Sequence, residues 1–197
     1  MARLIDVVAY DEKLFVLDMK KRVMYVGDVK DPKLCVAGST SSGSAMRVMV
    51  AGCYDRGGAG PLIFCPKGEN ITGCGFGKML REELLPFFQA RGKCVGLFDN
   101  AGPHVSDVAS GVFMEIGIIR VKHTARSPDF NPIELVWARM MWRVCKALPW
   151  GKHISRALFC ATIKSAWAVE AQIFESDLAH VMSCMRKCVL CNGGNKY

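Results

Sequence analysis

The alternation of apolar and polar positions changes period near the middle of the chain. The first half carries short β-branched or aromatic runs broken by polar residues: VVAY at 7–10, KLFVLDM at 13–19, RVMYVG at 22–27, MRVMVAGCY at 46–54 and LIFC at 62–65. Runs of this length between turn residues predict strands. The Gly-, Ser- and Thr-rich stretch 28–44 reads as a loop, and DRGGAGP at 55–61 as a turn. Together they predict an antiparallel meander.

Beyond residue 76 the pattern becomes helical. GKMLREELLPFFQARG at 77–92 has helical spacing, with an interruption or kink near Pro86. CVGLFDN at 94–100 is the continuous apolar run of a strand covered on both faces. A helix at 106–117, a short strand at 118–123, a long helix from 132 to about 148 and one or two helices over 153–189 follow. Strands first, then helices alternating with strands, predict a mixed α/β domain around a central sheet. The organisation expected is a domain over 1–150 with a C-terminal helical extension, 151–197, packed on it.

Composition narrows the class. At 197 residues with 51% hydrophobic content, the chain is long enough to bury a core and too apolar for disorder. No apolar run reaches the roughly 18 residues of a membrane span, and the N-terminus does not read as a signal peptide. Ten cysteines scattered without an export signal point to a reducing, intracellular setting rather than a disulfide scaffold. The formal charge of +8 is uneven: residues 1–134 carry 17 Lys/Arg against 15 Asp/Glu, and residues 135–197 carry 9 against 3. A basic C-terminal third suits a polyanion, nucleic acid first, although many basic surfaces serve solubility alone.

Three carboxylates stand at the ends of separate predicted elements. Asp11 follows the first strand run, with Glu12 directed to the opposite face; Asp99 ends CVGLFD, where α/β folds commonly place ligands. Glu134 lies in RSPDFNPIELVW, 126–137. There Asn131 suits an N-cap and Pro132 the first helical position, which makes Glu134 the residue that could reach back in a capping box. Taken singly, each acid has such a local reading. Taken together, hard carboxylate oxygens suit Mg²⁺, and two such ions can activate a nucleophile and stabilise the leaving oxygen of a phosphodiester.

VVAYDEKLFVL, LFDNAGPH and SPDFNPIELVW resemble, in that order, the three catalytic blocks of mariner-type DDE transposases. SPDFNPIE is similar to the family string SPDLNPIE, with Phe130 in place of leucine, and the second block supplies Asp-Asn and a following histidine, His104. Between Asp99 and Glu134 lie 34 residues, a spacing typical of one branch of the group. MRVMVAGCYDRGGAGPLIF also looks like the family's strand–turn–strand, and the match covers roughly residues 5–148. The resemblance implies an RNase H-like fold, a central mixed sheet flanked by helices. It implies that Asp11, Asp99 and Glu134 hold two divalent ions, Mg²⁺ or Mn²⁺. Their work would be DNA strand cleavage followed by transfer of the freed 3′-hydroxyl to target DNA. Asn100, His104, Asp129 and Asn131 fall inside the motifs as supporting residues. DNA is the implied partner, a homodimer is allowed, and neither a membrane nor a small-molecule substrate is implied. A nuclear location follows if the source is eukaryotic, and a cytoplasmic one otherwise.

The family's N-terminal helix-turn-helix domains have no room before the first catalytic strand, so the expectation is a fragment or a chain that has lost its DNA-recognition half. The alternative reading, from another class, is a retired transposase fold that binds nucleic acid or assembles without catalysis and needs no metal. Arg139, Arg143, Lys146 and Lys152 could form a DNA-facing stripe or a solvated helix face. His180, Cys184, Cys188 and Cys191 could bind zinc, but a single C-x-x-C and helical spacing also suit a buried stripe. ITGCGFGKM fails the phosphate-loop template, with Thr72 where the first glycine belongs and Met79 after the lysine. Trp137, Trp142, Trp150 and Trp167 read as core or helix-packing residues.

Overall fold

In the structure, a computed structural model, residues 6–18, 23–25, 45–66, 71–92, 94–121, 127–149 and 153–193 are described. The predicted loop 28–44, Trp150 and Lys152 lie outside them. The two strand runs expected at 7–10 and 13–19 are one strand, β1 (Asp6–Asp18), because Asp11, Glu12 and Lys13 continue the pairing across the polar interval. β2 (Val23–Tyr25) pairs with the far end of β1. β3 (Ala45–Asp55) runs antiparallel to β1 over ten residue pairs, from Ala9↔Tyr54 to Asp18↔Ala45.

β4 (Gly58–Phe64) returns antiparallel to β3. The turn expected over 55–61 is therefore much shorter, and most of that stretch is strand. Asp55 accepts a hydrogen bond from the Gly57 amide at 2.8 Å, closing a turn at Arg56–Gly57. Gly58 follows at φ +100°, a backbone conformation that favours glycine.

α1 (Gly73–Met79) begins earlier than the apolar spacing suggests, because Thr72 caps it through the Gly75 amide. The chain then widens into a π-helical stretch at Leu80–Leu84 before α2 (Leu85–Gln89). Pro86 has no N–H to return to the preceding turn, which is the physical cause of the expected interruption. β5 (Cys94–Leu97), α3 (Asp107–Glu115) and β6 (Ile119–Val121) follow, with a 3₁₀ turn at Gly102–Val105. Another 3₁₀ turn at Pro128–Phe130 leads into α4 (Ile133–Ala147), and the tail forms two helices, α5 (Arg156–Glu170) and α6 (Phe174–Leu190). None of the described helices is long and apolar enough to cross a membrane.

The sheet order is β4-β3-β1-β5-β6; the β1–β5 and β5–β6 pairings are parallel, and the β1–β2, β1–β3 and β3–β4 pairings are antiparallel. Strand alternation sends successive β1 side chains to opposite faces. Ala9, Phe15 and Leu17 pack with Trp137, Met140, Ile163 and Trp167 from α4 and α5. Val8 and Tyr10 pack on the other face with Phe76, Leu80, Phe98 and Phe113. The site sits where the polar interval of β1 passes between these two cores.

Candidate active site

The parallel pairing of β1 with β5 aligns Ala9 with Leu97. β5 ends there, and Asp99 follows two residues later, near enough for its charge to act on Asp11. Glu134 arrives by another route. The Asn131 amide donates to the Tyr10 carbonyl at 3.1 Å, pinning the start of α4 to β1 one residue before Asp11. Asn131 Oδ1 also accepts from the Ile133 amide at 3.4 Å, but α4 begins at Ile133, so Pro132 rather than Asn131 takes the N-cap position and no side chain caps the helix. The capping box itself does not form: the Glu134 carboxylate turns to Lys13 Nζ, 3.0 Å away, instead of reaching back. The supporting residue Asn131 therefore acts on geometry, delivering the first turn of α4 to the middle of the sheet.

Asp11 accepts a hydrogen bond from Trp137 Nε1 at 3.1 Å. Trp137 lies one helical turn past Glu134, fully buried and stacked on Trp167 with ring centroids 5.2 Å apart. Both indoles pass beneath Gly52, the residue paired with Asp11; a Cβ there would stand 2.9 Å from each ring. Burial, then the charges of Glu134, Glu12 and Asp99, hold the Asp11 carboxyl well above its usual range. Acids from β1, the end of β5 and the start of α4 thus act on one carboxyl group.

On the opposite face, His104 links two acids. Its Nδ1 meets Asp99 Oδ1 at 2.5 Å and its Nε2 meets Glu12 Oε1 at 2.9 Å. Tyr10 donates to the same Glu12 oxygen at 2.9 Å, and Tyr10 and Phe76 flank the imidazole. Burial works against the imidazolium, but the bonds to Asp99 and Glu12 outweigh it and push His104 up to about 9. Asp99 also accepts from the Ala101 amide at 2.9 Å. Arg120 Nη2 donates to the Asp99 carbonyl and to Asn100 Oδ1, each at 2.9 Å, so Asn100 holds the turn that carries the acid. Asp129 is exposed in the 3₁₀ turn before α4.

Sequence reading overlooked the roles of Lys13, Glu12, Trp137 and Arg120. A period of two puts Lys13 on the Asp11 side of the strand, and a helical turn puts Trp137 below Glu134, so spacing carried a signal for both. Nothing in spacing joins Glu12 to His104 or Arg120 to Asn100, because those contacts cross between elements.

The expected basic stripe is largely engaged within the chain. Arg139 binds Asp177 at 2.7 and 2.8 Å and Glu170 at 3.1 Å, and Arg143 also pairs with Glu170. Both arginines clamp α4 to α5, and Arg139 also reaches α6, because the acids of those helices face it. Lys146 lies over the Trp142 ring, 3.7 Å from its centroid. Of the suggested zinc ligands, His180 and Cys184 meet at 3.5 Å. Among the described residues, no three His, Cys, Asp or Glu side chains are gathered closely enough to hold a metal ion as they stand.

At the site, the donor set nevertheless suits a hard divalent cation: carboxylate oxygens from three elements, with one carboxyl destabilised by its neighbours. Each acid is meanwhile turned to an internal partner, Asp11 to an indole, Asp99 to an imidazole and Glu134 to an ammonium.

No family model matches the sequence, and no curated protein matches it. Solved structures do. The Mos1 transposase paired-end complex with left transposon end is 17% identical, with 97% of this chain and 56% of that one covered at a TM-score of 0.70. The catalytic domain of Mos1 mariner transposase is also 17% identical, covering 95% of this chain and 82% of that one at 0.67. The Mos1 strand transfer complex is 21% identical, covering 95% and 55% at 0.69. The chain thus spans little more than half the length of the Mos1 transposase in its complexes. Mos1 catalytic-domain structures include forms with Mg and with Mn. The mixed sheet flanked by helices matches the RNase H-like catalytic domain of Mos1, and that is the fold of this chain.

Proposed function

We propose that this chain is a transposase-type polynucleotidyl-transferase domain acting on DNA, with Asp11, Asp99 and Glu134 holding two Mg²⁺ or Mn²⁺ ions. The observation that carries the reading is the crowding of acids from three elements around Asp11, whose carboxyl is raised by burial and by Glu134, Glu12 and Asp99. When bound, divalent ions would activate the attacking water or hydroxyl and neutralise charge on the phosphodiester. The protein's own contribution is placement. Asn131 fixes the height of Glu134 against β1, Trp137 orients Asp11, and His104 with Arg120 holds the Asp99 turn. DNA contact is assigned to Lys146 and Lys152, with Arg139 and Arg143 serving the helical clamp first.

The test pairs Mn²⁺ titration by calorimetry with nicking of supercoiled plasmid, on wild type and Asp99→Ala. Metal uptake and nicking, both abolished by the substitution, are expected. One observation favours the second reading, a retired fold that binds nucleic acid without catalysis: every one of the three acids already has an internal partner. Folded wild type that holds DNA while taking up no metal and leaving the plasmid intact would establish that reading instead.

A further inference from the structure

The contact that departs from a ready-made metal site is the one between Lys13 and Glu134. Lys13 lies two residues after Asp11, so strand alternation sends it to the same face of the sheet. Its Nζ sits 3.0 Å from Glu134 Oε2, and the two side chains are 30% and 32% exposed. They are therefore sheltered enough to pair and open enough to exchange partners with solvent. Asp11, by contrast, has the neutral Trp137 indole as its donor. Of the carboxylates around Asp11, Glu134 is thus the one held by a long, unbranched ammonium chain that can swing away through several rotatable bonds.

We propose that Lys13 is a built-in counter-ion for Glu134, which an incoming divalent cation displaces and whose freed ammonium then meets a phosphate of the DNA. The proposal rests on the functional reading above and adds to it an ion exchange within the site. In the metal-free chain the ammonium neutralises Glu134 beside other acids and keeps α4 seated on β1. Once a cation takes the carboxylate, Lys13 stands next to like charge, and the favourable move is outward to the phosphodiester. A single side chain would then couple metal occupancy to DNA affinity. The bland alternative is a strap that joins β1 to α4 and has no bearing on ligands.

The two differ in sign. Lys13→Met keeps the aliphatic stem and removes the charge; Lys13→Arg keeps the charge. If Lys13 competes with the cation, Lys13→Met binds Mn²⁺ roughly two- to fivefold more tightly than wild type by calorimetry, the worth of a partly exposed ion pair. Lys13→Arg stays near the wild-type value. In fluorescence anisotropy with a duplex oligonucleotide, the slope of log affinity against log salt is expected to be shallower by about one phosphate contact in Lys13→Met. That difference is expected with Mn²⁺ present and not without it. Wild type that binds Mn²⁺ while Lys13→Met binds it equally or more weakly overturns the counter-ion role and leaves the two-metal reading standing. If neither protein takes up Mn²⁺, the two-metal reading fails and the exchange fails with it. Uptake by Lys13→Met alone supports the exchange in its strongest form, with the ammonium blocking the site outright.

Discussion

Two ionic clusters lie along α4, and they differ in the way their charges balance. Toward the middle of the helix, Arg139 and Arg143 face Glu170 and Asp177, two cations against two anions, and Tyr54 adds a hydrogen bond to Asp177 at 3.1 Å. At its N-terminus, Asp11, Glu12, Asp99 and Glu134 face one ammonium and one imidazole, with the Arg120 guanidinium bound to the adjoining backbone. The first cluster is closed and ties three helices to the sheet. Among the described residues the second sets four acids against one ammonium and one imidazole, and burial makes the charge on Asp11 costly. Strongly shifted carboxyls collect at functional sites more often than in structural clamps, so the contrast between the two clusters is one that substitution can test.

The comparison can be broken most forcefully at the closed cluster. Arg139→Met leaves Asp177, only 3% exposed, without its guanidinium. A loss of about 3 kcal/mol or more is expected in denaturant unfolding. A loss below 1 kcal/mol would show that the clamp is ornamental.

The next effect lies at the open cluster and depends on pH. His104 is raised from 6.5 to about 9, so its protonated form favours the fold. That contribution, on the order of 2–3 kcal/mol, is fully present below pH 6.5 and fades as pH rises through about 9. Thermal melts of the metal-free protein between pH 6 and 10 should show wild type losing stability relative to His104→Gln. Parallel curves would refute the imidazolium.

Gly52→Ala probes the packing on which Asp11 rests. Its new methyl would stand 2.9 Å from both Trp137 and Trp167, and displaced indoles should cost about 1–3 kcal/mol and disturb the bond to Asp11. Near-ultraviolet circular dichroism, which reads the tryptophan environment, should change with the melting temperature.

The smallest expected effect has the opposite sign. Asp11→Asn removes a crowded, buried acid, so the metal-free protein should gain roughly 0.5–2 kcal/mol while losing Mn²⁺ binding. Loss of stability in that variant would mean that Asp11 belongs with the balanced cluster after all.

Much of this was legible before any coordinates. Apolar alternation marks β1 and β3, the apolar run 94–100 marks β5, which ends at Leu97, and Pro132 marks the start of α4 to within one residue, because these signals are local. The resemblance of three short blocks implies that Asp11, Asp99 and Glu134 share one site. Local chemistry also misled. The polar interval at Asp11–Lys13 reads as a break between strands, yet pairing with β3 carries the strand straight through it. Glu134 reads as a capping residue, yet it pairs with a cation on a strand 121 positions earlier.

By itself, then, the sequence determined the order of elements, the types of residue available for chemistry and the three acids that resemble a catalytic set. Tertiary structure alone decided which partner each charge meets: Glu134 with Lys13, His104 between Asp99 and Glu12, and Arg139 with the acids of α5 and α6. The reason is range. Periodicity and capping act over a few residues, whereas the energy of a charge depends on whatever the fold brings within a few ångströms of it.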